Sequence, residues 1–143
     1  MLEISKNISI IGPGANKLAI DGSDSTSIFE DRQYAINTVL ISGLELKHGK
    51  GNGYGSAVGG LGYLLTVRNC NIHSNYIGSY GTISAWSSPE YDEMSYVTIE
   101  NSSIHNNTSS GHATALYMSD GTGIEIKNST IYNNHSIVPN LGH

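Results

Sequence analysis

The stretch V-T-I-E-N-S-S-I-H-N-N, Val97 to Asn107, decides the reading of this chain. It returns as L-T-V-R-N-C-N-I-H-S-N from Leu65 to Asn75 and as I-E-I-K-N-S-T-I-Y-N-N from Ile124 to Asn134. A looser copy, V-L-I-S-G-L-E-L-K-H-G, runs from Val39 to Gly49, and a shortened one, I-S-I-I-G, starts at Ile8. Ile10, Ile41, Val67, Ile99 and Ile126 are the second apolar positions of these copies. They recur roughly every 30 residues, inside the range of about 20–50 residues that marks a stacked solenoid or array.

Each copy is strand-like. Val97, Ile99 and then Ile104 are expected to point inward while Thr98 and Glu100 alternate outward, a period of two. The N-S or N-C step between the two apolar sets breaks the alternation as a tight turn between short strands does. A third short apolar run follows each copy: Ala57-Val58, Ile83-Ala85, Ala115-Tyr117. No window carries a sustained i, i+3, i+4 apolar face, and Gly, Asn, Ser and Thr, which form helices poorly, are frequent throughout. The expectation is an all-β chain of four to five coils, each of three short strands.

The chain resembles the right-handed parallel β-helix (pectin-lyase-like) proteins, and most of all the surface repeats of polymorphic outer membrane proteins and autotransporter passengers. The likeness rests on I-S-I-I-G-P-G-A-N-K-L-A-I-D-G from Ile8, on V-L-I-S-G-L-E-L from Val39, and on the three N-[SC]-x-I-x-x-N units at Asn69, Asn101 and Asn128. It covers nearly the whole chain. A right-handed coil, and a secreted or cell-surface setting, are what the resemblance implies. This architecture carries lyases, hydrolases, adhesins and tailspikes alike, so function has to be argued from particular residues. The stacked Asp and basic residues of pectate-lyase-like members have no counterpart here.

Composition sets bounds. The 143 residues suit one domain, read here as residues 1–143 and as a piece of a longer solenoid, because no capping unit is recognisable at either end. Only 38% of residues are apolar and 17 are glycine, which suits a narrow core inside a turn-rich coil. A formal net charge of −5 argues against a nucleic-acid partner, which calls for a basic stripe. No apolar run approaches the roughly 18 residues of a membrane-spanning helix. Met1-Leu2-Glu3 enters the first repeat without a charged and apolar leader, which leaves a cytosolic protein or, the reading preferred here, a mature or trimmed part of an exported, extracellular or surface protein. The single cysteine, Cys70, stands where Ser102 and Ser129 stand in later coils; a small side chain stacked beside the turn is expected.

Four stretches carry candidate chemistry. Asp21, Asp24, Glu30 and Asp31 do not match an EF-hand loop and are read as a solvated loop rather than a calcium site. The glycine-rich run from Gly49 to Gly62 has neither G-x-x-x-x-G-K-[ST] nor G-x-G-x-x-G, so it is read as a turn into the Ala57-Val58 strand; no cofactor is implied. Residues 76–96 make the longest excursion and contain the only tryptophan. Here Trp86, Tyr80 and Tyr91 are the candidate ligand-binding residues, because sugar rings stack on aromatic faces. Glu90, Asp92 and Glu93 are the candidate acid and base, because paired carboxylates perform glycoside hydrolysis. Loops projecting from a rigid scaffold are the usual seat of function.

Registering the repeats gives outward stripes. Arg68, Glu100 and Lys127 should alternate in sign, each neighbouring pair contributing about 0.2–1 kcal/mol. Asn69, Asn101 and Asn128, and again Asn75, Asn107 and Asn134, should form amide ladders at the turns. Lys47, His73, His105 and Tyr132 make a further stripe, in which His73 and His105 are the only candidate metal ligands and lack an evident third. The functional expectation is a structural or adhesive module contacting polysaccharide or a neighbouring surface protein. A polysaccharide lyase or hydrolase fragment and an end-to-end self-associating fibre unit are the alternatives.

Overall fold

A computed structural model describes residues 1–32, 36–61, 63–87, 94–119 and 121–137. Among these residues all regular structure is β, and every strand pair is parallel. The 19 strands fall into four sheets that the chain visits in turn, coil after coil. The first sheet stacks β1 (Leu2–Ile4), β4 (Phe29–Asp31), β8 (Val58–Leu61), β12 (Ile83–Trp86) and β16 (Leu116–Met118). The second stacks β2 (Ile8–Ile11), β5 (Asn37–Ser42), β9 (Tyr63–Arg68), β13 (Tyr96–Glu100) and β17 (Gly123–Lys127). The third stacks β3 (Ala19–Asp21), β6 (Glu45–Lys47), β10 (Asn71–His73), β14 (Ser103–His105) and β18 (Thr130–Tyr132). The fourth stacks β7 (Lys50–Gly51), β11 (Tyr76–Ile77), β15 (Thr108–Ser109) and β19 (His135–Ser136). The molecule is a parallel β-solenoid of about five coils.

The repeat register holds. Ile10, Ile41, Val67, Ile99 and Ile126 pair one with the next along the second sheet. Ile41, Val67 and Ile99 are fully buried, as are Leu46, Ile72 and Ile104 of the third sheet. Each such side chain contributes about 1.5–3 kcal/mol. The coil has four strands rather than three. The fourth sheet is only two residues wide, too short to show alternation, and its inward column is Gly51, the fully buried Ile77 and the fully buried Ser109.

Two corners of each coil are set by residues in the left-handed region. Gly43 (φ 67°), Asn69 (φ 53°), Asn101 (φ 48°) and Asn128 (φ 46°) turn the second sheet into the third. His48 (φ 52°), Ser74 (φ 54°), Asn106 (φ 52°) and Asn133 (φ 50°) turn the third into the fourth. Asparagine suits such positions because its short polar side chain tolerates this conformation.

Only one of the two expected amide ladders forms. Asn75 Nδ2 donates to Asn107 Oδ1 (2.9 Å), and Asn107 Nδ2 donates to Asn134 Oδ1 (2.9 Å). Asn75 and Asn107 are buried inside the corner. At Asn69, Asn101 and Asn128 the side chains face solvent. The stack beside them runs instead through the next residue: Cys70 N–H donates to Ser102 Oγ (3.1 Å) and Ser102 N–H to Ser129 Oγ (3.1 Å). At Asn69, Asn101 and Asn106 the left-handed residue turns its own side chain out and its successor's in. Cys70 is buried as expected, its Sγ 3.2 Å from the Arg68 carbonyl, and burial pushes its thiol pKa up.

One further expectation is corrected. Glu30 and Asp31 are not in a solvated loop but in β4, both buried; Arg32 Nε and Nη2 hold the Glu30 carboxylate (2.8 and 3.2 Å), and Asn37 Nδ2 donates to Asp31 (2.9 Å). The glycine-rich stretch does turn into β8 as read, and several of its glycines are close-packed. A Cβ on Gly49 would run into the Ser56 carbonyl, and one on Gly59 into the Tyr54 carbonyl.

Candidate functional site

Outward positions of the first sheet build an aromatic face. In β12, Ile83 and Ala85 enter the core, so Trp86 projects outward. Tyr54, Tyr80 and Ala113 pair as isolated parallel bridges just before the sheet, which brings the two tyrosines to the same side. Tyr117 stands in register with Ser84 in the next coil. The rings meet around Trp86: Tyr80 edge-on at 4.8 Å and 87°, Tyr54 edge-on at 5.6 Å and 85°, Tyr117 tilted at 5.1 Å. Tyr80 also packs on Tyr117 (4.7 Å) and stacks on His112 (5.8 Å, 19°). Edge-on contacts of this kind are worth about 0.5–1.5 kcal/mol beyond area burial.

The face therefore spans three consecutive coils. It is seated on small residues, Gly59 and the buried Ser84. Trp86, Tyr80 and Tyr117 are half-buried, whereas Tyr54 is 40% exposed and His112 is exposed. The Trp86 Nε1–H finds no acceptor among the described residues. On the far side of Tyr54 opens a cleft of about 510 Å³, lined by Ser27, Glu30, Arg32, Lys50 and Asn52 among others. Tyr54 is thus shared between the aromatic face and a polar cleft.

Of the sequence-chosen residues, Trp86 and Tyr80 are brought together. Tyr91, Glu90, Asp92 and Glu93 lie outside the described residues. Tyr54, Tyr117 and His112 were missed. A signal was available for two of them, because Tyr54, Tyr80 and His112 follow one another at the spacing of successive coils.

The outward stripes are in register. Arg68 Nε lies 2.9 Å from Glu100, but the Lys127 ammonium turns to Glu125 (2.9 Å) on its own strand rather than to Glu100. His73 and His105 stack at 5.1 Å and 14°, and His105 stacks on Tyr132 at 4.8 Å and 10°. Their ring nitrogens are taken up by neighbours: His73 by Glu45 (2.6 Å) and Ser74 (3.0 Å), His105 by Asn71 (2.9 Å) and Asn106 (3.0 Å). Burial, and then the neighbouring His73, hold His105 below the usual imidazole pKa. Among the described residues no group of three His, Cys, Asp or Glu side chains is placed to hold a metal ion.

Fold and surface together define the chain as a parallel β-solenoid repeat with one aromatic outer face. No protein-family model, no curated protein and no solved structure matches the chain.

Proposed function

We propose that this chain is a structural or adhesive β-solenoid module of a surface-exposed or secreted protein, and that its aromatic face contacts polysaccharide. The observation that carries this reading is the row Tyr54, Trp86 with Tyr80, and Tyr117 with His112, one step per coil, beside a polar cleft. Sugars present apolar ring faces and a rim of hydroxyls. Aromatic side chains cover the first at low entropic cost, and charged and amide groups such as Glu30, Arg32 and Asn52 bond the second. Coils repeat every ~4.8 Å, so the row offers periodic platforms to an extended, periodic ligand. Mutual packing fixes the rings before any ligand arrives, which lowers the ordering cost of binding. The likeness to polymorphic outer membrane protein and autotransporter-passenger repeats belongs to this proposal and supplies its cell-surface setting.

The test is a glycan array probed with the wild-type chain, Tyr54→Ala and Trp86→Ala. Tyr54 is the sharper variant because it is the most exposed tyrosine of the row and its loss leaves the core untouched. Binding to an oligosaccharide that disappears in Tyr54→Ala, with an unchanged circular dichroism spectrum, supports the reading. A blank array, or hits indifferent to both substitutions, rules it out.

A further inference from the structure

We propose that Ser74, His73 and Glu45 form a hydrolytic triad on the outer face of the third sheet, active on a small acyl ester carried by a large, open molecule. Ser74 Oγ is 3.0 Å from His73 Nδ1, and His73 Nε2 is 2.6 Å from Glu45 Oε1. The carboxylate accepts from Nε2–H, so Nδ1 keeps its lone pair and accepts from the serine hydroxyl. A nucleophile bonded to a base that a third group orients is how such a triad is recognised, whatever the order in the chain. The parts come from adjacent coils: His73 is in register with Lys47, so Glu45 two residues earlier reaches across to its ring, and Lys47 Nζ lies 3.9 Å from the same carboxylate. Stacking on His105 at 5.1 Å fixes the ring plane.

The next coil supplies an internal comparison. There His105 makes the same two contacts, at 2.9 and 3.0 Å, but to the amides of Asn71 and Asn106. The corner geometry is thus common to both coils, and only the earlier one places a carboxylate and a hydroxyl at its two ends. Asn106 occupies the Ser74 corner position one coil on, with its amide engaged by His105 Nδ1 at 3.0 Å. The triad is half-buried at the surface, with His73 18% and Glu45 24% exposed, so a reacting ester would reach it from solvent.

In the reaction Ser74 Oγ attacks the ester carbonyl carbon and its proton passes to His73 Nδ1. The carbon–oxygen bond to the alcohol breaks, and the alcohol leaves with that proton. Water then attacks the acyl-serine, giving a proton to Nδ1, and the carboxylic acid departs as Ser74 is restored. Glu45 is the positioning residue.

The probes are a fluorophosphonate, read by intact mass and peptide mapping, and p-nitrophenyl acetate hydrolysis. We expect one phosphonyl adduct, on Ser74, absent in Ser74→Ala and slowed on the order of 100-fold in His73→Asn. Glu45→Gln slows labelling, because the amide no longer holds the His73 ring through a charged acceptor at Nε2. Absence of an adduct, an adduct elsewhere, or labelling of Ser74 at an equal rate in Glu45→Gln or in a folded His73→Asn overturns the proposal.

Discussion

Replacing Asn107 by alanine separates two columns of asparagine that look alike in the repeat. Asn107 Oδ1 accepts from Asn75 N–H (3.0 Å) and Asn75 Nδ2 (2.9 Å). Its Nδ2 donates to Asn134 Oδ1 (2.9 Å) and to the Ile72 carbonyl (3.3 Å). Truncation leaves the buried Asn75 N–H without its acceptor, at about 1–3 kcal/mol. Three further bonds go, but Asn75 Nδ2 keeps the Leu46 and His73 carbonyls and Asn134 Oδ1 keeps the Asn107 N–H. Each of those three therefore costs about 0.5 kcal/mol, the low end for a hydrogen bond. The whole loss is about 2.5–4.5 kcal/mol. Asn101→Ala removes an exposed side chain whose one contribution is tolerance of φ 48°, at about 1 kcal/mol, and Asn101→Gly is close to neutral. Urea unfolding of the three variants, followed by far-UV circular dichroism, gives the comparison. Equal losses at Asn107 and Asn101, or a loss below about 1 kcal/mol at Asn107, would refute the assignment of the ladder to the inner column.

Cys70→Ser is expected to change stability by less than about 1 kcal/mol, because serine at that place can donate to the Arg68 carbonyl as Ser102 does to Glu100 (2.8 Å) and Ser129 to Lys127 (2.7 Å). The native Cys70 thiol, buried and with its pKa raised, should react with a thiol reagent only on unfolding, which a stopped time course in and out of urea checks. Acidification should weaken the fold through His105. Its folded pKa is depressed, so the unfolded chain binds the proton more readily. This contribution is intact above the ordinary imidazole value, about 6.5, and declines as pH falls from there towards the folded value. Melting temperatures measured between about pH 8 and pH 5 should fall less in His105→Gln than in wild type; an unchanged acid limb would count against the stacked pair as its source.

Much of the fold is written in the sequence because a solenoid repeats the same local problem. Ile10, Ile41, Val67, Ile99 and Ile126 align by spacing alone and pair in that register, since a one-residue slip would turn every core side chain outward. The two-residue fourth sheet is not legible, because Lys50-Gly51 and Thr108-Ser109 have no alternation to read and are strands only by virtue of the coils beside them. Nor could spacing alone assign the ladder, since Asn101 and Asn107 recur with the same period. What separates them is backbone conformation: Asn101 is itself the left-handed residue, and Asn107 follows one, Asn106.

The site was half legible for a related reason. Trp86 stands out by rarity, but rarity says nothing about neighbours. Tyr54, Tyr117 and His112 come from other coils, and they join the face around Trp86 because each coil returns the chain to the same side. The same logic hides the contact between His73 and Glu45, which are 28 residues apart in sequence and 2.6 Å apart in space. In a solenoid, then, a residue's partners are found one period away as well as beside it, as Glu45 and Ser74 are for His73. Any chemistry this chain performs has to be assembled across coils, by columns in which a single coil departs from the repeat. Glu45 and Ser74, where the next coil has Asn71 and Asn106, are such a departure, and so is Trp86, which stands in register with Leu61.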